Sequence, residues 1–171
     1  MPDTDAFALP FQAIKEFLDN QSCSYSADEE NYSLKLTLPF GDDQYEISYW
    51  LTHGGDLMHY SILFPDSPIR AKDRLGVAEL LVRANHFIDF GKLDMDMSTG
   101  VVRFHAIHMI DEGYLGQGVL NRISFLGVLQ VDMYLTAIRK HLQEGMSPED
   151  VIALTQLDLE MTAEGHFLDE E

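Results

Sequence analysis

Residues 32–63, YSLKLTLPFGDDQYEISYWLTHGGDLMHYSIL, decide the fold. Tyr32, Leu34, Leu36 and Leu38 alternate with Ser33, Lys35 and Thr37, and Tyr45, Ile47, Tyr49 and Leu51 alternate with Glu46, Ser48 and Trp50. Period-two alternation of this kind marks strands with one buried face. A tight turn at Gly41-Asp42 sets Leu38 against Tyr45, Leu36 against Ile47 and Leu34 against Tyr49. A second turn at Gly54-Gly55 sets Leu51 against Met58, Tyr49 against Tyr60 and Ile47 against Ile62. Both turns put the same residues of the middle strand on one face. A slip of one residue would turn every side chain over and destroy that agreement. The meander therefore predicts Leu36, Ile47 and Ile62 as neighbours, with Trp50 paired to His59 on the other face.

Outward from the meander, a helix is predicted first, with Pro10 at its opening position and Phe11, Ile14, Phe17 and Leu18 on one face. Asn20 to Glu30 is polar and Ser-rich and reads as a loop. Pro65-Asp66-Ser67-Pro68 ends the sheet. A helix then runs to about His86, with Leu75, Ala78, Leu81 and Ile88 as buried candidates. A hairpin around Thr99-Gly100 pairs Met97 with Val102, Met95 with Phe104 and Leu93 with Ala106, so that Asp96 faces Arg103 and Asp94 faces His105. From Val119 to Gln143 a long helix presents Leu120, Ile123, Val131, Tyr134, Ile138 and Leu142, and Gly145 ends it. Ser147-Pro148-Glu149-Asp150 starts a last helix, with a capping serine, a first-position proline and acids at the positive dipole end. That helix is expected to reach about Met161, before an acidic tail from Leu168 to Glu171. The order α-β-β-β-α-β-β-α plus a C-terminal helix means α+β: an antiparallel five-stranded sheet with helices packed on one face. Residues 1–145 are expected to form a single domain and residues 146–171 a helical extension.

One stretch carries a resemblance. Asn85-His86-Phe87-Ile88-Asp89-Phe90-Gly91-Lys92-Leu93-Asp94-Met95-Asp96, followed by Gly100-Val101-Val102-Arg103, resembles the YbjN-like family of bacterial proteins, grouped as sensory-transduction regulators. In that family an Asn near a helix end leads into a Gly-x-apolar-x-apolar strand, then a Gly turn and a strand carrying Arg. The family's fold is similar to that of type III secretion chaperones, which are small, acidic and dimeric. The resemblance implies a chaperone-like fold, a homodimer and a protein partner, and it brings no catalytic residues with it.

Composition narrows the function classes. An apolar fraction of 46% supplies a core, so disorder is not expected. Eleven Lys and Arg against 29 Asp and Glu give a net charge of −18. Binding a phosphate backbone needs cations to displace counterions, so nucleic acid and anionic membrane surfaces are poor partners. Cys23 is the single cysteine, so no disulfide forms within the chain, which suits a reducing compartment. No basic n-region or continuous apolar h-region opens the sequence, and Ile123 to Val131 is too short to span a bilayer. The expected location is the cytoplasm.

The candidate chemistry reads as structural. His105 and His108, three apart on a strand, point to opposite faces and cannot share an ion. His53 sits beside a turn and His59 on the outward face. Cys23 has no Arg or His nearby in sequence to activate it. Asp94 and Asp96 share a strand face, as acid–base pairs do, but ion pairing with Arg103 and His105 accounts for them. Gly113, Gly116 and Gly118 have the wrong spacing for a dinucleotide loop. The reading is therefore non-enzymatic, without cofactor or metal.

One feature calls for a partner. Arg122, Thr136, Lys140 and Gln143 define the polar side of the long helix, yet Phe125, Leu129 and Met133 lie on that side and need a cover. The chain's own last helix, with Val151, Leu154, Leu157 and Met161 in a stripe, is one candidate; a second subunit or a bound protein is the other. The expectation is a protein-binding or chaperone-like module that recognises a protein segment as a homodimer, with Phe125, Leu129, Met133 and Trp50 as contact candidates. A small-molecule sensor with a pocket lined by Tyr45, Tyr49, Tyr60 and Trp50 is the alternative.

Overall fold

Helix α1 (Thr4–Asn20) leads into strands β1 (Tyr25–Asp28), β2 (Ser33–Phe40), β3 (Asp43–Thr52) and β4 (Leu57–Leu63). Helix α2 (Arg74–Ala84) precedes β5 (Lys92–Met95) and β6 (Val102–Met109), and the long α3 (Gln117–Glu144) and α4 (Pro148–Leu168) close the chain. The structure, a computed structural model, describes residues 4–168, with side chains described over residues 6–159. The expected side chain of Met161 and the tail residues 169–171 lie outside what is described.

The meander registers are those that the turns require. Leu38 faces Tyr45, Leu36 faces Ile47 and Leu34 faces Tyr49 between β2 and β3. Leu51 faces Met58, Tyr49 faces Tyr60 and Ile47 faces Ile62 between β3 and β4. Every neighbouring pair is antiparallel, and the order across the sheet is β1-β2-β3-β4-β6-β5. The sheet thus has six strands rather than the expected five. The additional one is β1, from the stretch read as a loop. Its Tyr25-Ser-Ala-Asp sequence has no apolar alternation because an edge strand buries little, and here only Tyr25 is even half-buried. Pairing with β2 supplies what the side chains do not. Asp28 closes the hairpin by accepting the backbone N–H groups of Glu30 and Asn31 at 3.2 and 3.1 Å.

The second hairpin is slipped by two residues from its expected register. Met95 faces Val102, Leu93 faces Phe104 and Asp94 faces Arg103, while Lys92 faces His105. The cause is a longer turn. The Asp96 carboxylate accepts from the Ser98 amide and hydroxyl at 2.8 and 2.6 Å, and Arg74 of α2 donates to the carbonyls of Met97, Ser98 and Thr99 at 2.8–2.9 Å. A slip of two preserves the faces, so Leu93, Val102 and Phe104 are still buried.

The helices cover one side of the sheet. From α1, Phe11, Ile14, Phe17 and Leu18 enter the core, together with Leu120, Ile123, Val131, Tyr134 and Ile138 from α3. Gly127 is where α3 comes closest, since a Cβ there would run into the Tyr60 and Phe104 rings. Pro10 lies inside α1 rather than at its start. It has no N–H to offer the Ala6 carbonyl, and that carbonyl packs instead against Gly55, which has no Cβ to obstruct it. In α2 the buried residues are Val77, Leu80, Leu81 and Ala84, and Leu75 is 78% exposed. Arg74 turned onto the 97–99 turn rotates its neighbour to the solvent side. Gly145, at φ 71°, ends α3 as expected, and the Ser147 hydroxyl caps α4 by accepting the Asp150 amide at 3.1 Å. Helix α4 continues to Leu168, past the expected end near Met161. It buries Val151, Ile152 and Thr155 and packs on α2 and α3.

Candidate functional site

Helix α1 packs over the His53–Gly55 turn and α3 over β4 and β6. Between them, part of the β2–β3 hairpin's inner face is left open. This gap is an apolar groove of about 300 Å³. Its floor is Leu36, Leu38, Ile47 and Tyr49 of the sheet; its walls are Phe17, Leu18 and Cys23 on one side and Ser124, Phe125 and Val128 on the other. Phe40 closes the end of β2 and is 38% exposed. A larger hollow of about 480 Å³ beside β1 has a polar lining that includes Ser24, Ser26, Lys35, Thr37, Glu46 and Ser48, which offers less to an apolar guest.

The hydroxyls of the groove are already paired within the chain. Ser124 Oγ donates to the Leu120 carbonyl at 2.7 Å and accepts the Tyr49 hydroxyl at 2.7 Å, and the Tyr60 hydroxyl donates to the Ser124 carbonyl at 3.2 Å. Burial pushes both phenol pKa values far above the ordinary range. Tyr45 is likewise raised by burial and by its 3.1 Å hydrogen bond to Asp132. These phenols remain neutral donors with fixed partners, which leaves a shaped, largely apolar surface.

Of the residues singled out by sequence, Phe125 and Leu129 sit together on α3, 61% and 40% exposed. Phe125 forms the rim of the groove, and Leu129 follows one helical turn later. Met133 is half-buried against the core. Among the described residues, the last helix does not cover Phe125 and Leu129. Its buried residues are Val151, Ile152 and Thr155, turned toward α2 and α3, whereas Leu157 is 51% exposed. Trp50 belongs to neither place: it lies on the open side of the sheet, near-parallel to the rings of His59 and His105. Tyr45, Tyr49 and Tyr60 lie on the helix-covered side, so these four aromatics do not line one pocket. The groove residues that sequence reasoning missed are Phe17, Cys23, Leu38 and Phe40. Strand parity alone could have found Phe40, because it continues the inward series Leu34, Leu36, Leu38 beyond the last residue a helix covers.

The residues that carried the family resemblance have structural duties. Asn85 acts as a strand substitute: its side chain donates to the Leu93 carbonyl at 2.9 Å and accepts the Leu93 amide at 2.8 Å. Gly91, at φ 74°, leaves room for the Phe104 ring. Arg103 pairs with Asp94 at 2.7 Å. Among the described residues no group of three or more His, Cys, Asp or Glu is placed to hold a metal ion, and no helix is long and apolar enough to cross a membrane.

This antiparallel sheet with helices on one side is similar in fold to YbjN and to type III secretion chaperones. YbjN from E. coli superposes with a TM-score of 0.57 over 76% of this chain and 91% of its own, at 16% identity. A chain of the ExsC–ExsE complex matches with a TM-score of 0.53 over 76% of this chain and 93% of its own, at 16% identity. A chain of the HopA1–SchA chaperone–effector complex gives 0.50 over 81% and 98%, at 14% identity. At such identities the likeness is one of fold. No protein-family model matches the sequence, and no curated protein matches it.

Proposed function

We propose that this chain is a non-enzymatic, chaperone-like binding module of a bacterial cytoplasm, acting as a homodimer, and that the groove between α3 and the β2–β3 hairpin receives an apolar stretch of a partner protein. The observation that carries this reading is the groove itself: an apolar floor, a rim of exposed Phe125 and Phe40 with exposed Leu129 next to Phe125 on α3, and hydroxyls already paired within the chain. Each Val, Leu or Phe side chain seated there would contribute about 1.5–3 kcal/mol from apolar burial. The fold supports the same reading, since two of its neighbours were solved as complexes, one of them a chaperone with its effector. A small ligand is less well served, because the groove is at the lower end of ligand-sized pockets and has few free polar groups to orient one.

The test is Leu129→Asp together with Phe125→Asp, purified from the native cell and compared with the parent by mass spectrometry and sedimentation. Loss of a co-purifying protein at unchanged association state supports the groove as a partner site. Conversion to monomers assigns these residues to the subunit contact instead. Partner capture and association state identical to the parent's would sink the proposal.

A further inference from the structure

The open face of the sheet carries a hydrogen-bonded pair of imidazoles against the chain's single tryptophan. His59 Nδ1 and His105 Nε2 are 3.1 Å apart. Their rings are within 7° of parallel with centroids 5.4 Å apart, so they meet edge to edge in nearly one plane. Trp50 lies parallel to both, its centroid 4.8 Å from that of His59 and 5.6 Å from that of His105. On its other edge His59 Nε2 is 2.8 Å from Thr52 Oγ1, which is 3.0 Å from His53 Nδ1. Both nitrogens of His59 are therefore engaged.

Proton counting gives this arrangement a threshold. With both imidazoles neutral, one N–H fills the gap between the facing nitrogens. A first added proton also fits, because a doubly protonated His59 donates to His105 Nε2 and to Thr52 Oγ1 at once. A second added proton does not fit: two N–H groups would point at one another across 3.1 Å, between two cations.

The surroundings give little relief: Asp94 favours the cation at His105, but less than burial, Arg103 and His59 oppose it. The charged side chains on this face are Asp28 of β1, Lys35 of β2, Glu46 of β3, Lys92 and Asp94 of β5 and Arg103 of β6, with His53 at the turn. The carboxylate nearest in register to His105, Asp94, is ion-paired to Arg103 at 2.7 Å and to Lys92 at 3.8 Å. Burial, then Arg103 and His59, lower the His105 pKa, and burial, then His53, lower that of His59.

We propose that Trp50, His59 and His105 form a proton-operated latch on the open face of the sheet, closed while the pair holds at most one added proton and opened by the second. Opening frees the Trp50 ring and turns a flat aromatic surface into a cationic one. The two imidazoles titrate as a coupled pair, with the second step pushed to lower pH than a free imidazole.

Because Trp50 is the single tryptophan, emission of the intact protein reads this site directly. A pH titration followed in parallel by tryptophan emission and far-UV circular dichroism should show a red shift below the ordinary imidazole range while the dichroism is unchanged. His105→Gln and His59→Gln should each lose that transition. Should either variant fold poorly, the imidazole proton resonances of the parent serve instead, with two separated steps expected for His59 and His105. The latch is overturned if emission shifts only together with loss of dichroism. It is equally overturned if well-folded variants titrate like the parent, or if the two imidazoles titrate independently at ordinary values.

Discussion

Asn85 shows how much a single side chain can decide. It ends α2, and its amide supplies both the donor and the acceptor that Leu93 would otherwise find on a further strand. Without it, a half-buried backbone N–H and C=O would be left unpaired. Asn85→Ala should therefore cost about 1–3 kcal/mol, read as a lower denaturation midpoint in urea with an unchanged slope. Asp96 governs the other end of the same hairpin. Hydrogen bonds from Ser98, chiefly its side chain and then its amide, hold the Asp96 carboxyl at about 2, against an ordinary 3.8. A depressed carboxylate pKa stabilises the fold above the unfolded value, and that contribution is lost as pH falls through the folded one. The stability gap between the parent and Asp96→Ala should be constant from neutrality to about pH 5 and should shrink progressively below that, levelling off only near about pH 1. A gap that persists unchanged at the acid end would mean that the charge on Asp96 does not hold the turn.

Among the elements, the legible ones announced their own boundaries. The β2–β3–β4 registers were readable because two glycine turns and an alternating pattern constrained one another. Gly145 and Ser147-Pro148 fixed the break between α3 and α4 by cap chemistry alone. The β5–β6 register was not readable, since its turn is held by Arg74 from a distant helix, a contact with no local signature. Strand β1 was invisible because an edge strand needs pairing more than it needs burial. Half of the candidate site was legible: Phe125 and Leu129 stood out as apolar residues on a polar helix face. The rest of the groove, at Phe17, Leu38 and Phe40, depends on where α1 and α3 leave the sheet bare, which no single segment records. The same logic bears on α4. It rests on α2 and α3 through Val151, Ile152 and Thr155 and joins the core at its edge, where α2 and α3 make the contacts to the sheet. We propose that residues 1–145 fold without it. Truncation after Gly145 should then keep the sheet's circular dichroism, lower the melting temperature and create a dye-binding surface around Tyr134 and Ile138. Complete unfolding of the truncated chain would show that α4 belongs to the same cooperative unit.

At the scale of the whole molecule the dominant quantity is charge. With 29 acidic against 11 basic side chains, the folded state crowds like charges that the unfolded chain holds apart. Opposing this are a few direct ion pairs. The strongest in geometry is Arg139, which donates to Asp43 at 2.8 Å and to Asp66 at 2.7 and 2.9 Å, tying the C-terminal part of α3 to the start of β3 and to the loop after β4. Salt weakens both effects, but not equally. Raising ionic strength from about 0.01 to 0.15 M shortens the screening length from about 30 to about 8 Å, which removes most long-range repulsion and leaves contacts under 3 Å much less affected. Repulsion is therefore the larger loss, and the melting temperature should rise over that range of sodium chloride. Isosmotic sucrose should not reproduce the early part of the rise, because it leaves charges unscreened. Arg139→Gln should melt lower than the parent at every salt concentration while keeping the same upward slope. A melting temperature that falls as salt is added would reverse the ranking and make the Arg139 network, not the excess of carboxylates, the electrostatic feature that governs stability.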